Sequence, residues 1–354
     1  MSRQIGIDCV NCKPTPRRAH TEFSLEYHGS LLAPDKMSPQ NPFPGGSGSD
    51  WDDDLRRIYD LMEVDMLWGT HDGFVDWRKA GRCTDMGHAS YAEGGTDQRP
   101  SSPCPFATPE EVWAFDPLKE YGITPFDELV KGYEAVYQRN SKLFPNQLCT
   151  GGYYKTTISG ASHTFGWDML LTAAADKIKF AKVLERYGEY TLHHARAWAQ
   201  TSMDVYINHD DIMWTSGIFM HPDMYRQVIF PIYKEIWKPL KAAGKKILYC
   251  TDGTADGYWE DIANVGADGF IFEPTNDYDK MIKTFGGTHC IVGSKIDCRT
   301  MTLRPWEDVK AEIDATIALT QGMNGIMLAV GNHIPANISD EMCIRYINYL
   351  KELM

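Results

Sequence analysis

Three residues of metal-binding type follow three short apolar runs in the second half of the sequence. Cys250 ends the run KILYC, Glu273 ends GFIFE, and His333 follows GIMLAV after two further residues. Thiolate, carboxylate and imidazole are all zinc ligands, and a catalytic zinc site uses three protein ligands and keeps one position open for substrate. The sequence therefore predicts a mixed zinc site formed by Cys250, Glu273 and His333.

A second polar group follows the run DVYINH. It contains His209, Asp210 and Asp211, and a histidine beside paired acids can move protons. Asp252 lies two residues after Cys250, so the alternation of side chains along a strand turns both toward the same side. We predict His209, Asp210 and Asp252 as catalytic residues. The alternative is that the acids at this point cap a helix and face solvent.

The predicted substrate-binding residues are Tyr249, Lys295 and Trp214. Lys295 follows the run CIVGS. Tyr249 and Trp214 are two of the many aromatic residues of the chain. Several aromatic side chains in the predicted loops suit a flat aromatic substrate, although aromatic residues more often belong to the core. These side chains are Tyr91, Trp113, Tyr153, Tyr154, Trp214 and Phe219.

The elements that must position these residues are apolar runs of about five residues, separated by amphipathic segments of helical period. Such runs are typical of parallel strands that are buried on both faces. Their order predicts an α/β fold, a TIM-type (β/α)8 barrel with an N-terminal extension, whose chemistry lies at the C-terminal strand ends. Cys290 begins its run, so we expect it at the opposite, stabilising end of the barrel.

The predicted division of the chain has two parts. Residues 1–50 are rich in Pro, Gly and Ser and read as a surface arm and linker, and residues 51–354 form the barrel. Within the barrel, residues 51–146 are an N-terminal elaboration with the first elements, and residues 147–354 carry the clearest barrel pattern. We expect helices from Trp51 onward and over 177–201.

Composition excludes several classes of partner. A net charge of −13 and a pI near 5.3 argue against nucleic acid and anionic membranes as partners. The apolar runs are too short to cross a bilayer, and the N-terminal sequence lacks the pattern of a secretory signal, so we expect a cytoplasmic protein.

Nine cysteines indicate reduced thiols. Cys9 and Cys12 form one CxxC without a second pair to complete a zinc site.

From about Gln147 onward the chain resembles the uroporphyrinogen decarboxylase superfamily, specifically its corrinoid-dependent methyltransferase branch. The stretches that carry the resemblance are NHDDIMWTSGIFMHPDMYRQVIFPIYKEIWKPLKAAGKKI, LYCTDG, GADGFIFEP, IVGSKID and GNHIPANIS. The branch places zinc at the barrel mouth, with ligands from a His-x-Cys-Gly turn and a Gly-Cys-Gly turn. Here those turns read Cys250-Thr251-Asp252-Gly253 and Gly331-Asn332-His333.

The resemblance implies the demethylating component of an O-demethylase. This component would move a methyl group from a methoxylated aromatic compound to the cobalt(I) corrinoid of a separate carrier protein, with zinc or a proton donor activating the ether oxygen. The alternatives are a methylcorrinoid-to-thiol methyltransferase of the coenzyme M type, a decarboxylase and a non-catalytic binding barrel. The sequence leaves open the methyl donor and the oligomeric state, for which a homodimer is one option.

Overall fold

Parallel strands and the helices between them account for most of the chain. The computed structural model describes residues 2–23, 56, 59–84, 86, 103–335 and 337–354. The strands are β1 (Ala19–His20), β2 (Met66–Leu67), β3 (Leu148–Cys149), β4 (Gly151–Tyr153), β5 (Val205–His209), β6 (Lys246–Thr251), β7 (Gly269–Phe272), β8 (Cys290–Val292) and β9 (Ile326–Leu328). The first helices are α1 (Ser2–Val10), α2 (Trp77–Ala80), α3 (Pro109–Ala114), α4 (Pro117–Tyr121), α5 (Phe126–Leu143), α6 (Thr157–Ala174) and α7 (Lys177–Ala199). They are followed by α8 (Phe230–Ala242), α9 (Trp259–Val265), α10 (Tyr278–Phe285), α11 (Cys298–Leu303), α12 (Trp306–Leu319) and α13 (Asp340–Leu353).

The strands close into a ring. Seven of them pair in the order β1-β9-β8-β7-β6-β5-β4, and β2 pairs with β3, which continues into β4 after Thr150. The backbone N–H of Asp65 donates to the carbonyl of His20 at 2.8 Å, which joins β2 to β1 and closes the circle. This topology confirms the predicted (β/α)8 barrel.

Side chains alternate between the barrel interior and the helical layer. On β6, Leu248 and Cys250 belong to the interior cluster, whereas Ile247 and Tyr249 pack in the cluster under the helices. This division follows from the period of two along a strand. It sets which residues can reach the mouth of the barrel.

The N-terminal residues differ from the predicted surface arm. Helix α1 buries Ile5, Cys9 and Val10 in the same cluster as the barrel interior, and β1 is the first barrel strand. Arg17 holds this start in place, because its guanidinium donates to both carboxylate oxygens of the buried Asp65 at 2.7 and 2.8 Å. Most of the remaining arm to residue 50, and Tyr91, lie outside the described residues.

The helix predicted over 177–201 is confirmed. Helix α7 covers this amphipathic stretch. A π-helical turn over Met224–Ile229 leads into α8. Ser339 caps α13 by accepting a hydrogen bond from the N–H of Met342. Among the described helices, none is both long and apolar enough to cross a membrane.

Candidate site at the C-terminal ends of the barrel strands

A histidine and two aspartates meet where β5 and β6 end. Nε2 of His209 lies 3.1 Å from Oδ1 of Asp211, and the backbone N–H of Asp252 donates to the same oxygen at 3.2 Å. The potential metal-binding atoms of His209, Asp211 and Asp252 all lie within 4.8 Å of one another, and within the described part of the chain no other three residues form such a group. Two of the three are predicted catalytic residues; Asp211 takes the place expected for Asp210.

The charge balance of this group favours a proton or a cation. Burial alone would lower the pKa of His209, but the carboxylates of Asp211, Asp252 and Asp210 outweigh it and raise this pKa to about 9. The imidazole therefore holds a proton at neutral pH when no metal is present. One nitrogen and two carboxylate oxygens also suit zinc, with a fourth position left for substrate. These donors fit the predicted metal, although they are not the predicted ligands.

The three predicted ligands all lie near the mouth but are not gathered in one group. Glu273 accepts hydrogen bonds from the N–H of Gly253 at 2.6 Å and from the side chain of Asn332. Glu273 and His333 line a common cavity of about 440 Å³. Cys250 lies deeper and is buried; burial, followed by the charges of Asp252 and Asp211, raises the pKa of its thiol. Zinc binding by these three residues stays a prediction.

Asp210, also predicted as catalytic, lies outside the group of His209, Asp211 and Asp252. Its carboxylate is fully buried and accepts hydrogen bonds from the N–H groups of Ile158 at 2.9 Å and Ser159 at 2.7 Å, in the first turn of α6. The hydroxyls of Thr157 and Tyr233 donate to its other oxygen. An anion at a helix N-terminus is stabilised by these donors and by the helix dipole. Asp210 therefore fixes α6 to β5, and a catalytic role for it stays a prediction.

The predicted substrate contacts fall in three different places. Tyr249 points into the helical layer, where it is fully buried and its hydroxyl donates to the carbonyl of Asp210, so it does not reach the mouth. Lys295 pairs with Asp279 just beyond β8. Trp214 is 39% exposed and lies in an aromatic group at the rim, with ring centroids 5.7 Å from Trp167 and 5.3 Å from Phe219. Trp214 is thus the one whose placement suits a substrate wall.

Sequence reasoning missed an aromatic wall at the ends of β1 and β2. Phe23 stacks on Trp68 with ring centroids 4.4 Å apart, and the ring of His333 lies 4.5 Å from Phe23. The ring centroid of Tyr154, one of the aromatic residues noted in the sequence, lies 5.0 Å from that of His209. The two short strands carry little pattern, and the available signal was the two-residue spacing of Met66 and Trp68. The mouth thus has an aromatic side and a polar side.

Gly331 is required for the turn that carries Asn332 and His333. Its φ is +83°, and an added Cβ would lie 2.2 Å from the carbonyl oxygen of Phe272. We expect Gly331→Ala to lower the free energy of unfolding by about 2–4 kcal/mol, from the left-handed backbone and the clash together. Urea denaturation measures this loss.

The matched control is Gly287→Ala. Gly287 has a φ of +79° but no atom within 4 Å of the Cβ position, so it carries only the backbone cost of about 1–2 kcal/mol. Equal losses in the two variants would show that the contact with Phe272 does not constrain the turn.

The chain is similar to known proteins both in sequence and in fold. No curated protein matches the chain. Among solved structures, the chain is similar to a methyltransferase from Methanosarcina mazei, with a TM-score of 0.64 and 14% sequence identity over 99% of both chains. At this identity the likeness shows the fold. The family model described as uroporphyrinogen decarboxylase (URO-D) matches residues 156–353, which is more than half of the chain. The chain belongs to the uroporphyrinogen decarboxylase family.

Proposed function

We propose that the chain is a methyltransferase that moves a methyl group from a methoxylated aromatic substrate to the cobalt(I) corrinoid of a separate carrier protein. The observation that carries this proposal is the position of the His209, Asp211 and Asp252 group beside aromatic rings at the barrel mouth. The similarity in fold to a methyltransferase supports the reaction class. We propose the methoxylated aromatic substrate and the corrinoid carrier in addition to this reaction class.

The aromatic side of the mouth suits the ring of the substrate. Phe23 and Trp68 form a stacked pair, and Tyr154 stands against His209. A flat ring that packs against these faces places its methoxy oxygen toward the polar side, because the opposite strand ends carry Asp211 and Asp252. Ring stacking thus positions the C–O bond next to the groups that act on it.

The chemistry is a displacement at the methyl carbon. Cobalt(I) supplies the electron pair of the new Co–C bond, and the pair of the broken C–O bond stays on oxygen, which then takes a proton and leaves as a phenol. The barrier lies in the charge that develops on this oxygen, so a positive group placed there in advance lowers it. The proton at Nε2 of His209, shared with Asp211, is such a group.

A zinc ion is the second way to supply this charge. His209, Asp211 and Asp252 would hold it, and bound zinc would act as a Lewis acid toward the ether oxygen. Without zinc, the N–H of Asp252 orients Asp211 and Asp211 orients the imidazole. Zinc held by these atoms would take the place of the proton between His209 and Asp211. Glu273, held by Gly253 and Asn332, closes the next edge of the mouth.

The alternative activities fit this mouth less well. A methylcorrinoid-to-thiol transferase is best served by a thiolate-rich zinc site, whereas the grouped donors here are nitrogen and oxygen. A porphyrinogen substrate carries several carboxylates, which Asp211, Asp252 and Glu273 would repel at close range. We therefore rank the demethylating reaction first.

Turnover with free reduced cobalamin tests the proposal without a known carrier. Purified chain is mixed with cob(I)alamin and 2-methoxyphenol, and methylcobalamin and catechol are quantified by absorbance and chromatography. We expect the two products in equal amounts, at a rate proportional to enzyme concentration. Boiled enzyme and methoxycyclohexane serve as controls, since the latter has no aromatic ring.

Other outcomes identify the competing activities. Methyl transfer from methylcobalamin to a thiol, without demethylation of any methoxylated aromatic compound, would assign the second half-reaction. Release of carbon dioxide from a porphyrinogen would assign decarboxylation. Binding of 2-methoxyphenol with no turnover would indicate a binding barrel.

A further inference from the structure

Three thiols meet at the end of the barrel opposite the candidate site. Cys9 lies in α1 and Cys290 is the first residue of β8, which confirms the predicted position of Cys290 at the stabilising end. Both side chains are buried in the interior cluster, and the neighbouring thiol of Cys290 is the first cause that raises the pKa of the Cys9 thiol. Residues far apart in the chain thus bring two sulfur atoms together where α1 closes the barrel.

Cys12 connects this buried pair to solvent. It follows the end of α1 in a left-handed conformation with φ 52°, and its N–H donates to the carbonyl of Cys9 at 2.9 Å. This turn brings Cys12 beside Gly325, where an added Cβ would lie 2.7 Å from the sulfur. The side chain of Cys12 is partly exposed, whereas Cys9 and Cys290 are buried. Cys12 is therefore the member of the group that a soluble oxidant meets first.

We propose that Cys9, Cys12 and Cys290 form a thiol-disulfide site that reacts with small disulfide oxidants, and whose oxidised state is a Cys9–Cys290 bond joining α1 to β8. Within the CxxC motif, Cys12 would react first with the oxidant. Cys9 would form the final bond with Cys290. This site lies at the other end of the barrel from the proposed methyl transfer and does not depend on it.

The exchange proceeds in three balanced steps. The thiolate of Cys12 attacks one sulfur of oxidised glutathione, forming a mixed disulfide and releasing one glutathione thiolate. Cys290 attacks the sulfur of Cys12 and releases the second glutathione. Cys9 then attacks Cys290 and frees Cys12, so that two protein thiols lose two electrons and their two protons pass to the glutathione thiolates.

The surroundings of Cys12 make the first step slow at neutral pH. Burial, followed by the neighbouring Cys290, raises the pKa of Cys12 to about 11; Asp268 raises it further and Lys246 opposes the rise. The thiolate is the attacking form, so the rate rises about tenfold for each pH unit between pH 7 and 9. The site therefore responds to sustained oxidation, because its first step is slow at neutral pH.

Peptide mapping of the full-length protein tests the bond directly. The protein is treated with oxidised glutathione, its remaining thiols are blocked, and it is digested without reductant for mass spectrometry. We expect a peptide pair that contains Cys9 and Cys290, formed faster at pH 9 than at pH 7. The oxidised protein should also melt about 5 °C higher than the reduced one, because the bond closes most of the chain into one loop.

Single variants separate the role of Cys12, which reacts first with the oxidant, from the final Cys9–Cys290 bond. Cys12→Ser should slow formation of the Cys9–Cys290 bond at least about tenfold, while Cys343→Ser, at another buried cysteine, should leave it unchanged. Mapping of the unsubstituted protein decides the matter even if a variant folds poorly. A stable Cys9–Cys12 bond, glutathione that stays on Cys12, or unreacted thiols after prolonged treatment at pH 9 would each overturn the proposal.

Discussion

Asp211→Asn is expected to lower zinc affinity by at least about 100-fold and methyl transfer by a similar factor. The amide keeps the volume of the side chain but removes the charge that faces His209 at 3.1 Å. Loss of a group outside the ligand sphere already costs 10–100-fold in metal affinity, and loss of one charge-stabilising group costs about 100–1,000-fold in rate. Zinc is measured by mass spectrometry after dialysis against a graded chelator, and activity by methylcobalamin formation.

The same measurements decide between two ligand sets. If His209, Asp211 and Asp252 hold the metal, then His209→Ala and Asp252→Asn lose zinc, while Cys250→Ala and His333→Ala keep it. Zinc loss in the second pair alone would restore the ligand set predicted from the sequence. Asp314→Asn is the matched control, since Asp314 pairs with Lys310 on the outer helical layer. Undiminished turnover in a zinc-free protein would leave the proton on His209 as the activating charge.

Strand alternation places Asp211, and not Asp210, beside His209. Val205 and Ile207 of β5 face the barrel interior, so the same period of two turns His209 and Asp211 toward the mouth and Asp210 toward the first turn of α6. The sequence therefore held the signal for Asp211, and the prediction chose its neighbour. The ligand set predicted from the sequence differs for another reason, because Cys250 lies deeper in the barrel and Glu273 and His333 follow strands that are not adjacent to β5.

The length of each apolar run decides which parts of the barrel could be predicted. The runs that form β5 to β9 are long enough to be recognised, because strands buried on both faces are continuously apolar. β1 and β2 each contain two residues, and β4 contains two glycines, so their pairing is fixed by neighbouring strands and by Arg17 and Asp65. The aromatic wall formed by Phe23 and Trp68 follows these weak strands and was missed with them.

Asp210→Ala is expected to destabilise the protein by about 3–5 kcal/mol. The substitution leaves two N–H groups of the first turn of α6 and the hydroxyls of Thr157 and Tyr233 without their acceptor in a fully buried place. Each unsatisfied buried donor costs about 1–3 kcal/mol, and partial relaxation of the helix end recovers some of the sum. Urea unfolding of the variant and of the unsubstituted chain measures the difference.

Asp211→Asn separates this structural loss from a catalytic one. Asp211 is partly exposed but raises the pKa of His209, so its isosteric replacement should lower the free energy of unfolding at pH 7 by about 1–2 kcal/mol, less than Asp210→Ala, while it lowers activity about 100-fold. Asp210→Ala should show the opposite order, with a large loss of stability and residual activity in whatever fraction stays folded. If Asp210→Ala were as stable as the unsubstituted chain but inactive, the carboxylate would be acting in the reaction and α6 would be held to β5 by other contacts.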